Sequence, residues 1–131
     1  MYNFTDLLKV KDDFFASSGV SEEDIDFAER KLNLKFSKDY RSYLREFGVA
    51  SADAHEFTGI VKSKRLNVVD VTVEERNRNC LVPNELYVIE RLGIDGIVIW
   101  QSENGEIYQT VWGEKPKVIF HSLVDYMKSY D

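Results

Sequence analysis

The stretch that decides the fold is residues 21–48, SEEDIDFAERKLNLKFSKDYRSYLREFG. Ser21 is a candidate N-cap, because its hydroxyl can accept a backbone N–H from the first turn of a helix. The acidic residues that follow it favour the positive end of the helix dipole. Ile25, Ala28 and Leu32 then recur at helical spacing, and Asn33 marks the expected end. The pattern predicts a helix over residues 21–33.

A second helix is predicted over residues 38–47, with Ser37 as its N-cap. Its aromatic and apolar residues follow the i, i+3, i+4, i+7 pattern of one helix face: Tyr40, Tyr43, Leu44 and Phe47. Gly48 stands where a left-handed residue ends many helices. The two helices are therefore expected to form a hairpin whose apolar stripes face a shared core.

The rest of the N-terminal half is predicted from weaker patterns. Apolar residues over 4–17 suit an amphipathic helix. A capping box beginning at Thr72, with Glu75 at its third position, predicts a short helix. The remaining predictions are a flexible loop over 49–53, strands over 56–61 and 66–71, and the short helix over 72–79.

The C-terminal half is predicted to be mainly β-structure. Asn104-Gly105 separates two β-rich runs, which is a strong signal for a hairpin with a two-residue loop. Such a loop would place Trp100 opposite Gln109 near the centre of a sheet. The other predicted elements are a strand over 86–90, an edge strand over 117–120, and a closing helix from Ser122 with Leu123, Tyr126, Met127 and Tyr130 on one face.

Composition limits the classes of function. The chain has 131 residues and a net charge of −6, which suits one globular, soluble domain over residues 1–131. An acidic balance argues against a nucleic-acid footprint, and no apolar run is long enough to span a membrane. The single cysteine, Cys80, excludes an internal disulfide and is expected to be half-buried. We predict an α+β domain: a largely antiparallel central sheet, with N-terminal helices and a C-terminal helix packed on it.

The sequence contains no recognisable catalytic motif. The histidines His55 and His121 are far apart in sequence, and no His/Cys cluster has metal-ligand spacing. We therefore predict a protein that is not an enzyme, with no catalytic residues, no metal and no cofactor. An enzymatic interpretation would require a large pocket lined by shifted carboxylates or by both histidines together.

Residues 21–48 resemble the N-terminal signature of the SUKH superfamily, the cell-wall-regulator-like immunity proteins, and the C-terminal half resembles its strand, Asn-Gly turn and aromatic-rich final helix. One departure is visible, since Phe36-Ser37 stands where that family often has Leu-Pro. The matching residues are Ser21, Ile25, Glu29, Leu32, Phe36, Asp39, Tyr40, Leu44, Phe47 and Gly48, followed by Val88, Ile89, Asn104, Gly105, Tyr108, Trp112, Leu123 and Tyr126.

The resemblance implies a non-catalytic, cytoplasmic protein-binding domain, an immunity protein that neutralises a cognate bacterial toxin, often a nuclease. The alternative is a regulatory or scaffold protein of the same fold, acting in cell-wall or other housekeeping control. The expected partner is a toxin with a basic active-site surface. Binding to nucleic acid or to a membrane is not expected, and the expected state is a monomer or weak homodimer. The candidate partner-binding residues are Asp53, Glu56, Glu103, Glu106 and Trp112.

Overall fold

A computed structural model describes residues 3–129 of the chain. Its strands form two antiparallel sheets, of order β1-β2-β3 and β4-β5-β6-β7, which confirms the predicted α+β class. The prediction named one central sheet, and the three-stranded sheet of the N-terminal half is additional. The elements are α1 (Phe4–Lys9), β1 (Phe15–Ala16), α2 (Glu22–Leu32), α3 (Lys38–Glu46), β2 (Ala50–Ala52), β3 (His55–Glu56), α4 (Val68–Arg78), β4 (Tyr87–Arg91), β5 (Ile97–Gln101), β6 (Ile107–Val111), β7 (Lys117–Phe120) and α5 (Leu123–Lys128).

The helical hairpin of α2 and α3 is confirmed, with both predicted caps in place. The Ser21 side chain accepts the N–H of the third residue of α2, and Asn33 ends that helix with a left-handed φ of 54°. Ser37 caps α3 in the same way. The left-handed role predicted for Gly48 is wrong, because α3 ends earlier and Phe47 is already extended, with φ −131°. Gly48 is needed for space instead, since an added Cβ would lie 2.7 Å from the Ser17 hydroxyl.

The predicted helix over 4–17 stops at Lys9. Beyond it, Phe15 and Ala16 pair with Ser51 and Ala50 across the small sheet. Pairing with a distant strand has overridden the local helical pattern. Residues 49–53, predicted as a flexible loop, supply β2, which turns into β3 through two residues with positive φ.

The segment between Glu56 and Arg78 differs most from prediction. The strand predicted over 56–61 ends at Glu56, and the one predicted over 66–71 is the start of α4. The β-branched residues of segment 66–71 favour a strand locally. The Asn67 side chain nevertheless caps a helix, because it accepts the N–H of Val69 at 3.0 Å. Thr72 is therefore inside α4, and its hydroxyl accepts the N–H of Val88 at 3.0 Å rather than capping.

The predicted β5–β6 hairpin is present at the centre of the four-stranded sheet, with β7 at the edge as predicted. Its register is one residue from the prediction, because Trp100 lies opposite Tyr108 rather than Gln109. The cause is a longer loop: the Gly105 N–H donates to the Ser102 carbonyl at 3.0 Å, and Gly105 itself has φ 97°. This matches a type I turn followed by a glycine bulge.

A buried chain of hydrogen bonds joins α3 to the tip of this hairpin. The Tyr87 hydroxyl and the Ser37 hydroxyl both donate to the Gln101 side-chain oxygen, at 2.7 and 3.0 Å. The Gln101 amide then donates to the Gly105 carbonyl at 3.1 Å. Because these groups are buried, each would be costly to leave unpaired. Burial also raises the pKa of Tyr87, which therefore remains a neutral hydroxyl.

Helix α5 closes the fold with the face that was predicted. Leu123, Tyr126 and Met127 are buried, and Ser122 caps the helix by accepting the Asp125 N–H at 3.0 Å. Tyr130, predicted on the same face, lies outside the described residues. Within residues 3–129, every helix is too short or too polar to cross a membrane.

Candidate functional site

A cleft of about 440 Å³ opens between the second half of α4, the end of β4 and the loop that leads into β5. Two large apolar side chains on its margin are more than half exposed, Ile94 at 60% and Trp112 at 53%. The lining residues are Glu75, Arg78, Arg91, Gly93, Ile94, Asp95, Gly96, Ile97, Val98 and Trp112. Its volume is within the range of ligand and side-chain pockets.

Glu75 organises the polar end of this cleft. Its side chain is only 1% exposed. One carboxylate oxygen accepts the indole N–H of Trp112 at 3.1 Å. The other accepts from Arg91 at 3.1 Å and from Arg78 at 3.5 Å. Glu74 also pairs with both arginines, at 3.0 and 3.2 Å, so the charges at this end are mutually compensated.

Trp112 is half exposed and yet held in position. Besides its bond to Glu75, its ring lies 5.0 Å from the Arg78 guanidinium carbon. The ring also packs on Gly96, where an added Cβ would lie 2.7 Å from an indole carbon. Gly96 has φ 70°, which favours glycine for a second reason. Fixed aromatic side chains of this kind are typical of interaction hot spots.

Of the acidic residues predicted to bind a partner, Glu56 lies on the same surface as the cleft. It forms a two-pronged pair with Arg65 at 2.8 and 3.1 Å, and this pairing holds the pKa of Glu56 below its ordinary value. The Arg65 carbonyl accepts from Arg91 at 3.3 Å. A continuous set of contacts therefore runs from Glu56 through Arg65 and Arg91 to Glu75 and Trp112.

Asp53 lies at the turn between β2 and β3, where Lys11 pairs with it at 3.1 Å. The backbone N–H groups of Asp53 and Ala54 donate to the Asp13 carboxylate, and these bonds lower the pKa of Asp13. Asp53 is thus one member of a compensated surface cluster rather than an isolated negative charge.

Glu103 and Glu106 lie at the tip of the β5–β6 hairpin, as the sequence indicated. Glu103 is exposed, and Glu106 lies 3.6 Å from His121. The five residues of β6 separate this tip from Trp112, a length of about 17 Å at strand spacing. The structure therefore does not bring the tip acids together with Trp112.

The two histidines have separate surroundings. His55 is buried and lies 2.8 Å from Glu90, which also accepts from the Tyr126 hydroxyl at 2.6 Å. The His121 side chain is 80% exposed and directly precedes Ser122, the N-cap of α5. No group of three or more metal-ligating side chains occurs in the described chain, residues 3–129. Cys80 is exposed, so the prediction that it is half-buried is wrong.

A family model, SUKH_5, described as SMI1-KNR4 cell-wall, matches residues 3–129. The chain belongs to the SUKH superfamily. A comparison with curated proteins finds no match. The match covers both the helical hairpin and the sheet, as the resemblance in each half indicated.

The residues that carry the SUKH signature are mostly structural. Glu29 is buried in α2, where it accepts the Phe36 N–H at 2.8 Å and pairs with Arg41 at 2.8 Å. Tyr40 shares a hydrogen bond with the Thr58 hydroxyl at 2.8 Å, and that hydroxyl donates to Val88 at 2.8 Å. The Glu29 contacts join α2 to α3, and the Tyr40 contacts join α3 to β4, whereas Trp112 is the signature residue that reaches the surface cleft.

Of the residues that line the cleft, sequence reasoning predicted only Trp112 as a binding residue and missed Glu75, Ile94 and Gly96 among the others. The spacing from Thr72 predicts a capping role for Glu75, but its partners Arg91 and Trp112 are 16 and 37 positions away. Ile94 carried a usable signal, because it is a large apolar residue inside the turn Gly93-Ile94-Asp95-Gly96, where small and polar residues are usual. An exposed apolar residue in a turn is an indication of a contact surface.

Proposed function

We propose that this SUKH domain is an immunity protein, which binds a cognate bacterial toxin and neutralises it without catalysis of its own. The observation that carries the proposal is the cleft beside Trp112, where a half-exposed indole is fixed by Glu75, Arg78 and Gly96. A fixed aromatic group loses little conformational entropy on binding, which suits tight protein recognition.

Charge supports the same function. The chain carries a net charge of −6, and an acidic protein is attracted to the basic surface with which a nuclease holds its substrate. Long-range attraction of this kind accelerates encounter more than it adds affinity. The acids at the hairpin tip, exposed Glu103 and half-buried Glu106, belong to this long-range field, and the Trp112 cleft supplies short-range contact.

Co-expression with a toxin tests the proposal. A toxin-like reading frame, if one is found beside the gene, is expressed in a sensitive bacterium with and without this chain. Survival that depends on the chain, together with an equimolar complex of the purified proteins, is the expected result. A toxin that kills equally in the presence of the chain, and does not bind it, contradicts the proposal.

A second function, regulation of cell-wall synthesis as a scaffold, is favoured by the description of the matching family, SMI1-KNR4 cell-wall. The two functions give different results when the gene is deleted. An immunity gene is dispensable in a strain that lacks the toxin, whereas loss of a cell-wall regulator alters sensitivity to wall-active antibiotics in that same strain.

A further inference from the structure

The walls of the cleft beside Trp112 determine what it can accept. Its apolar sides are Trp112 and Ile94, with Ile97 and Val98 in its lining. A space of about 440 Å³ with these walls is large enough for a big apolar side chain.

The charged end of the cleft is already satisfied. Each oxygen of the buried Glu75 has a partner, and both Arg78 and Arg91 are paired with Glu74 as well. An incoming charged group would find no unpaired opposite charge and would lose its hydration. An apolar group would lose nothing of this kind and would gain contact with the indole and with Ile94.

The margin of the cleft has a different character, because Asp95 is exposed beside Ile94. Within residues 3–129 Asp95 has no ion-pair partner, unlike Glu74 and Glu75. Its positive φ of 51°, between glycines with φ of 75° and 70°, holds the loop in a tight turn that presents this carboxylate outward. A basic side chain next to the inserted group would therefore be favoured at this margin.

We infer that the Trp112 cleft is an anchor pocket for one large apolar side chain of a partner protein, presented on a segment whose neighbouring side chains are basic. This inference rests on the proposed toxin-binding function and names the partner chemistry at its centre. Trp112 would contribute most of the binding free energy, with Glu75 as the positioning residue that fixes the indole.

Defined peptides test the inference without the toxin. The probe is the acetylated, amidated pentapeptide KKFKK, with KKGKK as the control for the apolar group and EEFEE as the control for charge. Binding is followed by the two indole N–H signals in ¹H–¹⁵N spectra. The chain has two tryptophans, and Trp100 is an internal reference because it is buried and donates to Thr110 at 2.9 Å.

KKFKK is expected to shift the Trp112 indole signal and to leave the Trp100 signal in place. KKGKK and EEFEE are expected to bind about tenfold more weakly. An unchanged Trp112 signal, or binding of KKGKK or EEFEE as tight as that of KKFKK, overturns the inference. A Trp112 signal that depends on protein concentration without peptide also overturns it, because the cleft would then be filled by a second copy of the chain.

Variants separate the anchor from a general effect on folding. Trp112→Ala should weaken KKFKK binding about tenfold, measured by calorimetric titration because this variant lacks the Trp112 indole signal. Phe27→Ala is the matched control, since Phe27 is 55% exposed and also has a cation over its ring, Lys31 at 5.4 Å, but lies on α2 away from the cleft. Equal loss of binding in both variants contradicts an anchor at Trp112.

The same variants distinguish failure of the anchor from failure of the proposed function. If the wild-type chain protects cells from the toxin and Trp112→Ala protects equally well, the cleft is not the anchor and the immunity function stands. If KKFKK binds the cleft but the wild-type chain protects against no toxin, the pocket stands and the immunity function fails.

Discussion

Glu29 and Glu75 occupy the same place in two helices of equal length, the eighth residue of the 11-residue α2 and of the 11-residue α4. Both carboxylates are buried and both pair with arginine. Their other partners differ, because Glu29 accepts the backbone N–H of Phe36 and Glu75 accepts the indole N–H of Trp112. A buried carboxylate bonded to backbone fixes the fold, whereas one bonded to a half-exposed side chain fixes a surface.

The largest difference is expected when each glutamate is replaced by leucine. Glu29→Leu leaves the buried Phe36 N–H without its acceptor and should lower the free energy of unfolding by about 3 kcal/mol. Urea unfolding measures this cost. A loss below about 1 kcal/mol would show that Glu29 is no more structural than a surface residue.

The next effect concerns the glycine under the indole. Gly96→Ala places a Cβ against the Trp112 ring and also strains a backbone with φ 70°, so a loss of about 2 kcal/mol is expected. Gly93→Ala is the matched control, because its φ is 75° but its Cβ would meet nothing within 4 Å. Only Gly96→Ala should move the Trp112 indole signal. The same shift in both variants would contradict a packing role for Gly96.

Glu75→Leu should lower the free energy of unfolding by about 1 kcal/mol, less than Glu29→Leu does. Arg78 and Arg91 remain paired with Glu74 in this variant and reach solvent. The main effect of Glu75→Leu should be on binding: the Trp112 indole should rotate freely, and KKFKK should bind roughly tenfold more weakly. Fluorescence anisotropy and peptide titration measure the two. A stability loss equal to that of Glu29→Leu would show that Glu75 is as important to the fold as Glu29.

The smallest effect is a pH dependence of stability at Glu22, which shares the partner Arg41 with Glu29. Arg45 and Arg41 donate to Glu22 and lower its pKa in the folded chain. This stabilisation is complete above the unfolded pKa, about 4.3, and is lost as the pH falls through the lower folded value. Glu22→Gln should therefore flatten the fall of melting temperature below about pH 4.5.

Glu23→Gln is the control for that experiment, because Glu23 is adjacent, exposed and without an ion pair in the described part of the chain. It should leave the acid limb of the melting curve as steep as in the wild type. An identical change in both variants would assign the acid dependence to net charge rather than to the contacts of Glu22.

Local signals predicted the elements whose caps and stripes are close in sequence. Ser21, Asn33 and Ser37 determine α2 and α3 through bonds to residues a few positions away. The prediction for the start of α4 was wrong, because its β-branched residues favour a strand and the Asn67 cap was not considered. The hairpin register failed by one residue because Asn-Gly suits both a two-residue loop and the longer loop that is present.

The candidate surface was predictable only in part. Trp112 was named from the sequence and lies beside the cleft, and Glu56 joins the same surface through Arg65. The sequence could not reveal that Lys11 compensates Asp53, or that Glu75 supports Trp112, because these partners meet only through the tertiary fold. Pairing of distant residues is the information that a single sequence contains least directly.

The buried bonds from Ser37 through Gln101 to the Gly105 carbonyl hold the backbone of the hairpin tip without any contribution from the Glu103 side chain. Glu103 is exposed, so its identity can change while the backbone beneath it stays in place. A protein built in this way can change an exposed side chain at the tip with no new solution to the folding problem. The same arrangement makes the chain a suitable framework for a library of engineered binders.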